Sequence, residues 1–249
     1  HQHPEDVSKN EFFQMGAELI GKAGFEADIE SLILLQKPFF GLGVRPALHI
    51  GSHQFLMTAL GELPRAELRE TVDLLDNRDF EGLERRLRDR ISHRRAEVLS
   101  SILGFIGERG EFSTFIAEYD GILHNEEMED LLYLEHIAGK MEELGYGENV
   151  RIDLSEIGGQ PYYTGIVFRS YLPGLDSAVA SGGRYDKLLA SFGFDCPSVG
   201  FSFMLRKIEH LVEDRFGLPE DITEVDEQDF NQAFKKAEKL RSEGRIALL

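Results

Sequence analysis

The chain has 249 residues, 42% apolar and 29% charged, enough for one large packed domain or a domain plus a fragment. Its 45 acidic residues against 27 Lys and Arg leave a net charge of −18, which argues against an RNA-binding surface, since phosphate must be neutralised by cations. The lone Cys196 excludes an intrachain disulfide and a four-cysteine zinc site, and no run approaches the roughly 20 apolar residues of a membrane span, so a cytoplasmic, membrane-free protein is expected.

His1 to Asp6 are polar, without a signal-peptide pattern or an initiator Met, so further sequence upstream is expected. From Glu11 to Ile20 the spacing predicts a strand. Phe13, Met15, Ala17 and Leu19 fall on one face and Gln14, Gly16 and Glu18 on the other, and the interior Gly16 counts against a helix. The second face outlines a pocket floor. A helix is predicted over 28–36 and a short strand over 47–51. From about 54 to 110 the pattern is helical, with breaks at Gly61–Pro64 and Asn77, and reads as a helical insertion between parts of a sheet.

Asn125 is the expected cap of a long amphipathic helix closed by Gly145 and Gly147. Strands are expected over 150–154, 162–171 and 199–203, with a Gly-rich turn through Gly182–Asp186 and a helix through Leu211 and Phe216. The core is taken as 1–218, followed by an acidic linker over 219–228. A helix and a strand over 229–249 read as the start of a C-terminal domain. Strands joined by tight turns, with helices clustered between them, predict an α+β fold with a mainly antiparallel sheet.

Three segments carry a resemblance in order and spacing: Tyr162-Tyr163-Thr164-Gly165-Ile166-Val167-Phe168, Gly182-Gly183-Arg184-Tyr185-Asp186 and Pro197-Ser198-Val199-Gly200-Phe201. They resemble the catalytic domain of histidyl-tRNA synthetase. Phe13-Gln14-Met15-Gly16-Ala17-Glu18 is similar to the end of that family's second class II signature. The likeness covers roughly Pro4 to Leu211 and implies a class II synthetase-like core. It assigns Gln14, Glu18, Tyr163 and Tyr185 to histidine binding. The chemistry agrees, because a neutral imidazole offers one donor and one acceptor and suits polar groups at its ends and aromatic walls.

The same resemblance implies that the ATP machinery is lost. Gly158 stands where the synthetases carry an arginine that stabilises charge during attack on ATP. Met204-Leu205-Arg206-Lys207 stands for Gly-Leu-Glu-Arg, and lysine does not reproduce the guanidinium fork. Gln2, His3, Ser8 and Asn10 stand at positions that would supply a glutamate and arginines. Adenylate formation spreads charge over phosphates and needs such a clamp.

Keeping the amino-acid pocket without the clamp is similar to the regulatory-subunit family of the short-form ATP phosphoribosyltransferase. That likeness implies a non-catalytic subunit that binds no tRNA and forms a hetero-oligomer with the catalytic subunit. It would activate that subunit at the first step of histidine biosynthesis and take part in feedback inhibition, with L-histidine as effector. A divergent histidyl-tRNA synthetase and a structural activator with a vestigial pocket stay open as alternatives. No cofactor and no metal are expected. His49 and His53 are four apart, but His49 falls on a predicted strand, and no calcium loop, P-loop or dinucleotide fingerprint is present. Arg85, Arg86, Arg88 and Arg90 are read as a solvated helix face, and Asp153 and Glu156 as structural carboxylates.

Overall fold

The computed structural model describes residues 13–61, 63–158, 160–212, 222–224, 232, 236, 239–240 and 246–248. The chain divides into two compact units, His1–Arg206 and Lys207–Leu249.

The first unit is built on a sheet of seven strands: β1 (Gln14–Ile20), β2 (Ala47–Ser52), β3 (Ile106–Gly107), β4 (Val150–Asp153), β5 (Ile166–Tyr171), β6 (Ala180–Arg184) and β7 (Ser198–Met204). Their order is β1-β7-β6-β5-β2-β4-β3, and every neighbouring pair is antiparallel except the parallel β2 and β4. The expected α+β architecture is therefore present. β1 forms one edge. Its alternation sets Gln14, Gly16 and Glu18 on one face, while Phe13, Met15 and Ile20 stay exposed rather than covered.

Helices fill the intervals: α1 (Phe25–Gly41), α2 (His53–Leu60), α3 (Arg65–Asp76), α4 (Phe80–Arg88), α5 (His93–Leu103), α6 (Arg109–Ala117) and α7 (Asn125–Glu143). Most present an apolar stripe to the core. Leu83 and Leu87 of α4 and Leu131, Leu134, Ala138 and Met141 of α7 are all buried at helical spacing. Between β2 and β3 lie four helices, α2 to α5, and the breaks at Gly61–Pro64 and Asn77 separate α2, α3 and α4.

Several boundaries differ from the sequence reading. The helix expected over 28–36 runs from Phe25 to Gly41 and carries Pro38 near its end. The cap of α7 is His124, not Asn125: its backbone N–H donates to the Glu127 carboxylate at 2.8 Å, a capping box one residue upstream. The strand expected from Tyr162 begins only at Ile166, because residues 162–165 turn into it. Gly182 and Gly183 lie inside β6 rather than in a turn. A Cβ on Gly182 would strike the Gly200 carbonyl, and one on Gly183 would meet the Tyr163 ring at 2.7 Å and the Ile166 carbonyl at 2.8 Å. Their lack of side chains serves close packing, not chain reversal.

In the second unit, the expected acidic linker contains a strand. β8 (Ile222–Glu224) pairs in parallel with β9 (Ile246–Leu248), Ile222 opposite Ile246. The β-branched Ile222-Thr223 pair favours that conformation, which the surrounding acidic residues masked in the sequence. A short helix, α8 (Leu205–Ile208), and a 3-10 turn over Glu209–Leu211 stand where a helix through Phe216 was expected; Phe216 lies outside the described residues. So do the linker residues flanking β8 and most of the expected helix after 229, of which Gln232, Lys236, Lys239 and Leu240 are described as helical. The two compact units divide between Arg206 and Lys207. Among the described residues no helix is long and apolar enough to cross a membrane.

Candidate ligand-binding site

Register builds the site. Across β1 and β7, Gln14 faces Met204, Gly16 faces Ser202 and Glu18 faces Gly200. Gly200 and Ser202 in turn face Gly183 and Ser181 of β6. Directly opposed residues share a face of the sheet. Small or absent side chains at 16, 181, 183, 200 and 202 leave a hollow above the strands. Gln14, Glu18, Tyr163 and Tyr185 all line this one cavity of about 370 Å³, a size within the roughly 300–1,000 Å³ of small-molecule pockets.

The Glu18 carboxylate lies over bare Gly200, where any Cβ would collide with it, and accepts a hydrogen bond from the Tyr185 hydroxyl. Tyr163 packs its ring against Gly183, and Tyr162 sets its own ring edge-on to Tyr185 at 5.7 Å. Burial, first of all, pushes the Tyr163 hydroxyl up to about 12. Burial and the Glu18 carboxylate likewise raise that of Tyr185. Both phenols therefore stay protonated at neutral pH. The site offers a carboxylate, a side-chain amide and two hydroxyls between aromatic walls, a set that matches a flat ring with polar nitrogens.

What holds Tyr185 in place was not visible in the sequence. Its neighbours Arg184 and Asp186 turn away from the cavity. Arg184 is buried and reaches Asp28 of α1 at 2.5 Å (Nη2) and 2.8 Å (Nε), and also the Gly24 carbonyl at 3.1 Å and Asp186 at 2.9 Å. The Tyr133 hydroxyl adds a 2.6 Å bond to Asp28. Asp186 accepts from the Ser198 N–H at 3.0 Å, while its own N–H donates to Thr164 at 2.9 Å. A five-residue motif thus splits its labour: the glycines clear space, the charged pair clamps, and the tyrosine faces the cavity. Only a buried acid 156 positions away completes the clamp, a separation that gives no local signal.

Two of the positions where the resemblance expects nucleotide-binding residues line the same cavity. Gly158, where the resemblance expects an arginine, adopts φ 76°, a conformation that strains L side chains, and a Cβ there would press on the Tyr163 ring at 2.5 Å. Met204, where a glycine is expected, sits on the cavity floor opposite Gln14. Gln2, His3, Ser8 and Asn10 lie outside the described residues.

Asp153 and Glu156 are both buried at the end of β4 and just beyond it. Burial works against the charged form of Asp153, yet bonds from His49 (2.9 Å), Ser155 (2.6 Å) and Arg78 (3.0 Å) outweigh it and hold the carboxyl below the usual range. Glu156 goes the other way: burial raises it, opposed by Arg169, whose Nε lies at 3.1 Å. Glu156 and Arg169 line the cavity too. His49 is thus occupied by Asp153, and His53 sets its Nδ1 3.1 Å from the Ile157 carbonyl. Among the described residues, no group of three or more His, Cys, Asp or Glu is arranged to hold a metal ion. Arg86, Arg88 and Arg90 each pair with a glutamate of α3 or α4 (Glu70, Glu84 and Glu67), which removes charge from the densest basic patch.

The family model for histidyl-tRNA synthetase matches residues 1–208. The chain belongs to the histidyl-tRNA synthetase family. Within it, the chain is 29% identical to the ATP phosphoribosyltransferase regulatory subunit of Nitrosomonas europaea, over 100% of this chain and 64% of that one. A crystal structure described as an ATP phosphoribosyltransferase regulatory subunit/histidyl-tRNA synthetase from Bacillus halodurans is 26% identical, with a TM-score of 0.69, covering 96% of this chain and 62% of that one. Histidyl-tRNA synthetase from a Nostoc species shares the fold, with a TM-score of 0.70 at 20% identity, over 95% of this chain and 60% of the other. The chain therefore spans about three fifths of the length of the relatives it matches. Curated relatives at about 30% identity along nearly the whole chain carry the regulatory-subunit name.

Proposed function

We propose that this chain is the synthetase-like part of a non-catalytic regulatory subunit of ATP phosphoribosyltransferase, which binds L-histidine and transmits its presence to a catalytic subunit in a hetero-oligomer. One observation carries the reading. The cavity holds Gln14, Glu18, Tyr163 and Tyr185 together, while Gly158 and Met204 take the nucleotide's side. Amino-acid recognition without a cationic ATP clamp is the chemistry of a sensor, not of a ligase. The names of the relatives support the choice of partner and a place in the cytoplasm, and the net charge of −18 supports a role without tRNA.

Activation and feedback inhibition require histidine to favour one state of the complex, typically by 1–3 kcal/mol of coupling. Calorimetric titration of L-histidine into the chain tests the pocket, with Glu18→Ala as control and pyrophosphate exchange as the assay for adenylate formation. Saturable binding that weakens in the variant, without exchange, is expected. Exchange activity would restore the synthetase reading, and absence of binding to the folded chain would make it a structural activator.

A further inference from the structure

The sheet register draws a polar row across six strands. Gly16, Ser202, Ser181, Arg169, His49 and Arg151 stand directly opposite one another on β1, β7, β6, β5, β2 and β4, so their side chains share one face. The first three are bare or carry only a hydroxymethyl group, which keeps the floor low. Arg169 then rises as the far wall, three strand spacings or about 14 Å from the Gly16 backbone. Among the described residues Arg169 is the cavity's one cationic lining side chain, facing the Glu18 end across Ser181 and Ser202.

Gly158, also in the lining, contributes no charge where the family resemblance places an arginine. A ligand carboxylate therefore meets a positive charge in this cavity at Arg169. Its Nε is engaged by Glu156 at 3.1 Å, which fixes the plane of the guanidinium, and 30% of the side chain remains exposed. The guanidinium also hydrogen-bonds the Tyr171 hydroxyl and feels the Asp76 carboxylate, and such a pre-oriented fork, with five N–H donors in all, keeps donors for a further carboxylate.

Resting on the histidine-sensor reading, we propose that Arg169 is the specificity residue that binds the ligand's α-carboxylate, with the Ser181 and Ser202 hydroxyls beside it and the ring held at Glu18 and Tyr185. The amino acid lies above β7 and β6, reached from β1 by Glu18 and from β5 by Arg169. The site then distinguishes an amino acid from its decarboxylated amine through a cationic contact that Gln14, Glu18 and the tyrosines, none of them positively charged, do not make.

Paired titrations of L-histidine and histamine, which keeps the imidazole and the amine but lacks the carboxylate, test this on the whole chain. Arg169→Met alone would strand Glu156 as a buried unpaired acid, so Arg169→Met/Glu156→Gln is the main variant, with Arg169→Lys beside it. The wild-type chain is expected to prefer L-histidine. The double variant should lose about 10- to 100-fold in L-histidine affinity, the size of a charged hydrogen-bond contribution, with histamine affinity unchanged. Arg169→Lys should fall between. Equal losses for both ligands, or no loss, would overturn the role of Arg169 while leaving the histidine pocket standing. A wild-type chain that binds neither ligand would take down both.

Discussion

The Tyr185 hydroxyl donates to the Glu18 carboxylate, tying the edge strand β1 to the residue that follows β6. The strand between them passes under the pair at Gly200, whose missing side chain leaves room for the carboxylate. Gly200→Ala should therefore swing Glu18 off Tyr185. L-histidine affinity should drop about 10-fold, in line with losing one charge-assisted hydrogen bond. Calorimetry reads the loss, and the same affinity in the variant would mean that Glu18 does not hold the ligand.

Removing the Arg184 guanidinium leaves Asp28 buried without its main partner. Burial already pushes that carboxyl upward, against the bonds from Arg184 and Tyr133. Arg184→Met should cost about 3–5 kcal/mol in urea denaturation, and Arg184→Met/Asp28→Leu should recover much of it by removing both charges. An additive double variant would show that the pair is not the source of the loss.

Asp153 gives the fold an acid-sensitive point. Its folded-state carboxyl titrates below its unfolded value, so its contribution is fully present above about pH 4 and is lost as pH falls through the lower, folded value. Asp153→Asn should flatten the decline in stability below about pH 4 while lowering stability at neutral pH, where Arg78 and His49 lose their partner. Denaturation curves collected across that range report the slope.

Restoring an arginine at the loop position should not restore ligase chemistry. Gly158→Arg must adopt a positive φ and push a Cβ into the Tyr163 ring. A loss of about 1–3 kcal/mol in thermal or chemical unfolding is expected from the backbone alone. Pyrophosphate exchange should stay at background. Gain of exchange activity would show that a single side chain separates the two functions.

Alternation made the strands legible. The period of two from Phe13 to Leu19 predicted β1 and the face that carries Gln14 and Glu18, and the pocket's tyrosines followed from the motif. What sequence reading missed depends on contacts between distant segments. Gly182-Gly183 resembled a turn because glycine signals reversal as readily as close packing, and only the Gly200 carbonyl and the Tyr163 ring decide between them. Nothing in the sequence marks Arg169, which only the register sets opposite Ser181. Asp28, a polar residue in an apolar helix, gave no hint that Arg184 would meet it.

The edge position of β1 has an energetic corollary. Two of the pocket's polar groups ride on a strand that, among the described residues, is held to the sheet through one neighbour, β7, so the cavity is only as well formed as that docking. Strands anchored on one side open at lower free energy than those paired on both. A ligand held by Glu18 of β1 and by groups on the inner strands would bridge this seam, and its affinity would include the work of closing it. The amides of β1 become the most occupancy-sensitive exchange reporters, fast in the free chain and slowed when the ligand binds, and anything that braces the outer margin of β1 raises affinity without touching the ligand.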